Sequence, residues 1–237
     1  MYQKPETTTT TVPILSYSQQ GRYDYGAHLK PNTIYPDIEY LRPGQGIFFK
    51  NIIENITSSF TYTFAIDKDA QINGNYKINA VIQTSLWRKE FPLPIQNASG
   101  TFQSTGRQAQ FRIESFEIDL NYYENIVNQI EAETGVTVTQ PRLHINCAIT
   151  VYAQTTEKMI SKTFTPTISF SLKTRQIEII APETNQQSYV ETETQIINHP
   201  EVLDEQNQWS TIVYILIVIL IISTLFTQSK KTKNIKN

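Results

Sequence analysis

The chain has little of several things on which common protein classes depend. One cysteine in 237 residues excludes an internal disulfide framework and a multi-cysteine metal site. Charged residues make up 18% of the chain and the net charge is −2, which excludes an acidic disordered chain and a nucleic-acid-binding protein built on bulk positive charge. A mean hydropathy of −0.34, with only one long apolar run, excludes a multi-span membrane protein.

Motifs of catalysis and metal binding are also missing. The sequence contains no H-x-x-x-H, C-x-x-C, G-x-S-x-G or S-x-x-K pattern, and His28, His144 and His199 are scattered. Cys147 falls on the apolar face of a predicted strand and His144 on the opposite face, so the two cannot meet. Asp67-Lys-Asp69 resembles only the start of a calcium loop. We expect no catalytic residue, no metal ligand and no cofactor.

Alternating apolar residues predict strands through most of the chain. The predicted inward faces are Phe60/Tyr62/Phe64/Ile66, Tyr76/Ile78/Ala80/Ile82, Phe111/Ile113, Phe116/Ile118/Leu120, Leu143/Ile145/Cys147/Ile149/Val151, Ile168/Phe170/Leu172 and Ile177/Ile179. A turn is predicted at 72–75. The inward residues change from odd to even numbers between Ile113 and Phe116, and a bulge near Glu114 and Ser115 explains this change. The predicted fold is mainly β, an antiparallel sandwich of about seven to nine strands.

One segment, 120–135, has the period of a helix instead. Its apolar stripe consists of Tyr123, Ile126, Val127 and Ile130. Asp119 or Asn121 can cap its start and Gly135 can end it. We interpret it as an amphipathic helix that covers one end or edge of the sandwich.

Residues 211–227 form the one long apolar run. At helical rise the run is about 25 Å long, and flanking residues extend it to a transmembrane span of 209–229 in a lipid bilayer. Trp209 and Tyr214 fit an aromatic belt at one interface. Lys230 and Lys231 begin a basic tail, whereas acidic residues precede the span, so the tail is predicted to be cytoplasmic and the N-terminal domain to lie outside.

Export of that domain has more than one explanation, because the first residues show no apolar signal segment. An upstream signal or membrane helix outside this sequence is our preferred interpretation. Export without a cleaved signal and a tail-anchored cytosolic domain remain alternatives.

Composition divides the chain into five regions. A Thr-rich spacer covers 1–13, the sandwich domain 14–181 and a stalk 182–208, followed by the span 209–229 and the tail 230–237. The stalk has six acidic residues and no basic one, and it lacks periodicity, so it is predicted to be an irregular linker.

Two triplets match the N-glycosylation pattern, Asn55-Ile-Thr57 and Asn97-Ala-Ser99. Asn97 is the better candidate, because it falls in the turn-like segment 96–100. Asn55 falls at the start of a predicted strand.

The order of aromatic and turn positions resembles a known family over residues 2–228. The positions are Tyr2, Pro5, Tyr17, Gly21, Tyr23, Tyr25, Ala27, the segment 29–35, Phe60 to Phe64, Tyr76 to Ala80, Trp87, Phe91, Tyr123 and Gly135. The chain resembles an archaeal family of membrane-anchored proteins of unknown function, domain-of-unknown-function family 5305, whose members are often linked to signal-peptidase loci. The resemblance implies a membrane helix near the start of the protein and supplies no catalytic residue.

Taken together, these features favour a non-enzymatic protein anchored in the cell membrane with an extracellular β-sandwich. Its role would be binding or structural, in envelope organisation, adhesion or secreted-protein assembly, with a protein partner at the cell surface. One alternative is an accessory or hydrolase acting with a signal peptidase. Another is a viral envelope glycoprotein, for which 46–49 is the candidate fusion tip.

Overall fold

Strands make up most of the chain, as the alternation predicts. The computed structural model describes residues 7–181, 185–198 and 208–221. The strands are β1 Thr7–Leu29, β2 Tyr40–Leu41, β3 Ile53–Gln83, β4 Arg88–Pro92, β5 Ser99–Ile118, β6 Arg142–Gln154, β7 Met159–Phe164, β8 Thr167–Ser171, β9 Ile179–Ile180 and β10 Asn185–Asn198. The helices are a short 3-10 turn, Lys50–Ile52, the helix α1, Leu120–Thr134, and a second helix over 208–221, here α2.

All ten strands of the described residues belong to one sheet. Its main path runs β10-β1-β3-β6-β8-β9, with β2 beside β1, β4 and β5 beside β3, and β7 beside β6. The pairs formed within residues 17–180 are all antiparallel. The expected count of about seven to nine strands was therefore too low. The expected two sheets are joined by hydrogen bonds into a single curled one, because β3 belongs to both halves.

Strand β3 is long enough to serve both halves of the sheet. Its residues 53–66 pair with β1, residues 71–83 pair with β6, and β5 follows β3 along both stretches. The register between β3 and β5 shifts between Ala65 and Ala70. A shift of this kind bends a strand, which lets β3 pass from one half to the other.

The prediction of a turn at Ile72–Asn75 is wrong, because these four residues lie inside strand β3. Gly74 serves close packing there. A β-carbon on Gly74 would meet the ring of Phe102 and would lie 2.5 Å from the carbonyl oxygen of Thr150. Glycine in a strand interior can therefore mark a close approach as well as a turn.

The two halves of the sheet face each other and enclose an aromatic core. The hydroxyl of Tyr23 on β1 donates to the carbonyl oxygens of Ile145 and Pro166, at 3.1 and 3.3 Å. A β-carbon on Gly21 would lie 2.6 Å from the Pro166 ring. Fully buried Tyr62 donates to Gln19 at 3.1 Å, which satisfies its hydroxyl inside the core.

Other local predictions are confirmed. Ser58 pairs with Phe116 and Phe60 with Ile113, which places an extra residue at Glu114–Ser115, where the bulge was predicted. The inward residues predicted from alternation in β3, β6 and β8 are buried, except that Tyr76 is half-buried.

Helix α1 begins and ends as predicted. The Asp119 side chain accepts from the amides of Asn121 and Tyr122, and Gly135 closes the helix in the left-handed region at φ 71°. Glu124 was not predicted to be buried. Its carboxylate pairs with Lys50 and also accepts the amide of Lys173 at 2.7 Å.

Glu131, two helical turns after Glu124, adds a second link between α1 and the neighbouring loops. It pairs with Lys173 at 2.6 Å and accepts the amide of Val138 at 2.9 Å. The hydrogen bond from Lys173 is the main cause that holds the pKa of Glu131 below its ordinary value. The hydrogen bond from the Val138 amide lowers this pKa further. These contacts fix α1 to the loops at one end of the sheet.

In the acidic segment, residues 185–198 differ from the irregular linker that was predicted for 182–208. Residues 185–198 form β10, whose side chains are mostly exposed on both faces. Such a strand carries no inside–outside alternation, so its hydrophobic pattern does not reveal it. The Thr-rich run also lies in a strand, since β1 begins at Thr7.

The chain forms two compact units. One is Leu15–Val190, which contains α1 and most of the sheet. The other consists of Met1–Ile14 and Glu191–Asn237, of which the structure describes residues 7–14, 191–198 and α2.

Replacing Glu124 by alanine should lower the free energy of unfolding by about 2 kcal/mol. The change leaves the Lys50 ammonium without its partner in a partly buried site and removes the acceptor of the Lys173 amide. Urea unfolding of the full chain in detergent, followed by circular dichroism, measures the effect. Glu133→Ala, an exposed acid on the same helix, should leave the unfolding free energy unchanged. Equal stability of the two variants would contradict this account.

Candidate functional site

Strict alternation gives the half of the sheet that contains β6 an apolar inner face and a polar outer face. On β3 and β6, Ile72, Ile78, Leu143 and Ile145 point inward and are buried. Their neighbours along each strand point outward, because successive side chains of a strand alternate. The outer face is therefore built from residues that the register of four neighbouring strands brings together.

Twelve of these outer residues form three successive rows across the strands β5, β3, β6 and β7. We call them the polar platform: Thr105, Gln71, Gln154 and Met159; Gln103, Asn73, Tyr152 and Ser161; Thr101, Asn75, Thr150 and Thr163. None of the twelve carries a charge, and ten of them end in an amide or an aliphatic hydroxyl.

The centre of the platform is a shallow depression of about 400 Å³. It is lined by Asn73, Gly74, Asn75, Thr101, Phe102, Gln103 and Tyr152. Tyr152 is 39% exposed and forms one wall. The side-chain amides of Asn73, Asn75 and Gln103 are exposed, and they make no hydrogen bond within the part of the chain that the structure describes. Their donors and acceptors are therefore available to a ligand.

Charged groups at the margins of the platform are paired. Lys68 pairs with Glu157 at 2.6 Å, and Arg107 pairs with Asp69 at 3.1 Å. Lys77 lies 4.0 Å from Glu90. The charges at these margins therefore come in pairs of opposite sign rather than in a cluster of one sign.

A serine and a histidine meet on the same outer face, outside the platform. Ser169 on β8 and His144 on β6 are cross-strand neighbours, and the Ser169 hydroxyl oxygen lies 2.6 Å from the His144 Nδ1. Burial lowers the pKa of His144, and Arg142 and Arg88 lower it further. A neutral imidazole can act as a base, but Ser169 is only 8% exposed.

Cys147 has the surroundings predicted for it. It lies on the inner face, fully buried, while His144 lies on the opposite face of β6. Burial raises the pKa of its thiol, so the thiolate required for nucleophilic chemistry is disfavoured.

The described ranges contain no group of three His, Cys, Asp or Glu side chains placed to hold a metal ion. Asp67 accepts the amide of Ser16 at 2.8 Å, and Asp69 pairs with Arg107. His28 contacts the ring of Tyr40, and His199 lies outside the described residues. The segment 46–49 contains buried Phe48 and half-exposed Ile47.

The two glycosylation candidates occupy different surroundings. Asn55 is half-buried on β3, where its amide nitrogen donates to Glu117 at 3.1 Å. Asn97 is exposed in the loop between β4 and β5, in the left-handed region at φ 62°. Attachment of a glycan requires the amide nitrogen to be accessible, so the geometry favours Asn97.

The predicted membrane-interface residues Trp209 and Tyr214 both lie on α2, where they are 66% and 71% exposed. Lys230 and Lys231 lie outside the described residues, as does the part of the predicted span from 222 to 229. No helix within the described ranges has both the length and the apolar character needed to cross a membrane.

Comparison with known proteins agrees with the resemblance noted from the aromatic positions. A model of the family of unknown function DUF5305 matches residues 87–237. The chain belongs to this family. The matched region of this DUF5305 chain contains α1, the strands β4 to β10 and α2. No curated protein and no solved structure matches the chain.

Sequence reasoning missed the polar platform and the contact between Ser169 and His144. Alternation indicates that Asn73 and Tyr152 both face outward, but only the pairing of β3 with β6 makes them neighbours. Ser169 and His144 are likewise joined by the register of β6 and β8. The sequence does show that alternate residues of these strands are polar and mostly uncharged, which identifies the outward face of each strand. It does not show which residues of neighbouring strands lie side by side, because that depends on the register.

His144 should make folding stability depend on pH. Its pKa in the folded protein lies below the ordinary value of about 6.5, so the unfolded chain binds more protons as the pH falls below that value. The free energy of unfolding should therefore decrease from about pH 7 toward about pH 5. Urea unfolding at several pH values measures this slope, which His144→Gln should flatten. The same slope in both proteins would show that other groups produce it.

Asn97 should accept a glycan when the chain is secreted in a glycosylating host, and Asn55 should not. Asn97→Gln should remove the gel shift that glycosidase treatment also removes, because the exposed loop is accessible to the transferase. Asn55→Gln is the matched control and should leave the shift unchanged. Loss of the shift only in Asn55→Gln would reverse the assignment.

Proposed function

We propose that this chain is a non-enzymatic binding or structural protein anchored in the cell membrane, with its β domain outside and its C-terminal tail in the cytoplasm. Envelope organisation, adhesion and assistance to secreted-protein assembly are the roles that suit such a protein. The two facing halves of the curled sheet act as the β-sandwich in this proposal. An archaeal origin and a link to signal-peptidase loci are implied by the family resemblance and stay predictions.

The character of α2 carries the proposal. Its large apolar side chains, from Trp209 to Ile221, are about half or more exposed. Exposed apolar surface is unfavourable in water by about 25 cal/mol per Å², so a helix that is apolar all round requires an apolar environment. The sequence continues without a charge to Thr227, which supports a bilayer as that environment.

Flanking charges support the proposed orientation. Lys230 and Lys231 follow the apolar run, and Glu201, Asp204 and Glu205 precede it. Lysines near a span favour the cytoplasmic side. A protein partner at the cell surface completes the proposal, because a binding or structural domain acts by contact.

The contact between Ser169 and His144 favours a second candidate, a hydrolase or accessory that acts beside a signal peptidase. A serine hydroxyl 2.6 Å from a neutral imidazole is the first element of a nucleophilic site. Within the described residues, no carboxylate bonds to the other ring nitrogen of His144. The burial of Ser169 also restricts substrate access, so binding remains the better-supported function.

Cell fractionation and protease shaving test the anchor and its orientation together. The full chain with a C-terminal tag should stay with membranes during alkaline extraction, because α2 and the residues that follow it insert in lipid. Protease added to intact cells should release peptides of residues 15–198 and leave the tag protected.

A charge in the centre of the span supplies the matched variant. Ile219→Arg should release the chain from membranes, since arginine at a helix centre costs about 3 kcal/mol of insertion free energy, whereas Ile219→Leu should behave as the unmodified chain. Extraction of the unmodified chain by alkali would contradict the anchor. A cleaved tag with a protected β domain would reverse the orientation.

A further inference from the structure

We propose that the polar platform binds a neutral oligosaccharide. The inference deepens the proposed function, on which it rests, by naming the chemical class of ligand that the surface domain recognises. Three observations carry it: the absence of charge in the twelve platform residues, the availability of their amides, and a depression beside an exposed aromatic ring.

The charge pattern selects among ligand classes. Nucleic acids bind through lysine and arginine contacts to phosphates, and the platform contains neither residue. The neighbouring charges Lys68, Arg107 and Lys77 each have an acid within 4.0 Å, so no cluster of like charges lies beside the platform to attract an ionic ligand. The complementary ligand is therefore neutral.

The donor and acceptor pattern then selects a polyhydroxylated ligand. Each of Asn73, Asn75 and Gln103 presents an amide with donors on one side and an acceptor on the other. Covering them with apolar protein surface would leave these groups unsatisfied, which costs about 1–3 kcal/mol for each one. Sugar hydroxyls both donate and accept, so a glycan can satisfy them.

Tyr152 supplies the apolar part of such a site. Its exposed ring lies at the wall of the depression, opposite the amides of β3 and β5. An aromatic side chain offers a flat apolar face together with a polar hydroxyl, which matches the C–H face and the hydroxyl edge of a sugar ring. A protein-binding hot spot would instead need several buried aromatic or arginine anchors.

The size of the platform indicates an oligosaccharide rather than one sugar. Four strands about 4.8 Å apart give a width of about 14 Å, and three rows along the strands give a similar length. A short glycan chain can lie across this area and contact Gln103, Asn73 and Tyr152, which form one row.

Titration calorimetry with the full chain tests the inference. The protein is produced in a host without N-glycosylation and kept in a detergent that has no sugar headgroup, because maltoside detergents would compete. The probes are cellohexaose, mannohexaose and chitohexaose, with a heparin hexasaccharide as the anionic comparison. We expect at least one neutral probe to bind with a Kd below about 1 mM and with little change between about 50 mM and about 500 mM salt.

Variants connect binding to the platform. Asn73→Ala and Tyr152→Ala should each weaken binding about five- to tenfold, because each removes a hydrogen-bonding group or the stacking ring. Tyr152→Phe should retain most of the affinity. Gln110→Ala is the matched control, since Gln110 is an exposed amide on the same strand β5, beside the other half of the sheet.

Three results would overturn the inference: no binding of any neutral probe, preferred binding of heparin, or binding that none of the platform variants weakens. If Tyr152→Ala lowers the unfolding midpoint, Asn73→Ala and Gln103→Ala provide the decisive measurement. Titration does not depend on orientation in the membrane, whereas protease shaving does not depend on glycan binding. Failure of the inference and failure of the proposed function are therefore distinguishable.

Discussion

The structure depends on the continuity of β3 across both halves of the sheet. One strand of 31 residues pairs with β1 over its first part and with β6 over its last, and the shift between Ala65 and Ala70 bends it between the two. Because the halves share β3 and β5, their inner faces are held opposite each other by backbone hydrogen bonds. The aromatic core, the end covered by α1 and the polar platform all take their positions from this one strand.

Features encoded within a few residues were predictable from the sequence. Alternation identified the buried faces around Tyr62 and Ile145, because strand side chains repeat with a period of two. The bulge at Glu114–Ser115 appeared as a change of parity within β5. Asp119 and Gly135 marked the ends of α1, since capping chemistry is local.

Features that depend on distant pairing were not predictable. Gly74 was interpreted as part of a turn, although its role is to admit Phe102 and the backbone at Thr150. Strand β10 lacked a buried face and therefore any alternation to detect. The platform arises from register, since Gln103, Asn73 and Tyr152 are separated in the chain and become neighbours only through the ladders of β3.

Sharing one strand between two halves also orders the folding process. Strands β4 and β5, which pair with β3 along one edge, follow it directly in the chain, but residues 71–83 must wait for residues 142–154 to be synthesised before β6 can cover their other edge. Non-local pairing of this kind slows folding and prolongs the exposure of apolar surface. Before β6 pairs, residues 71–83 therefore present an unpaired strand edge, on which another chain can add a strand.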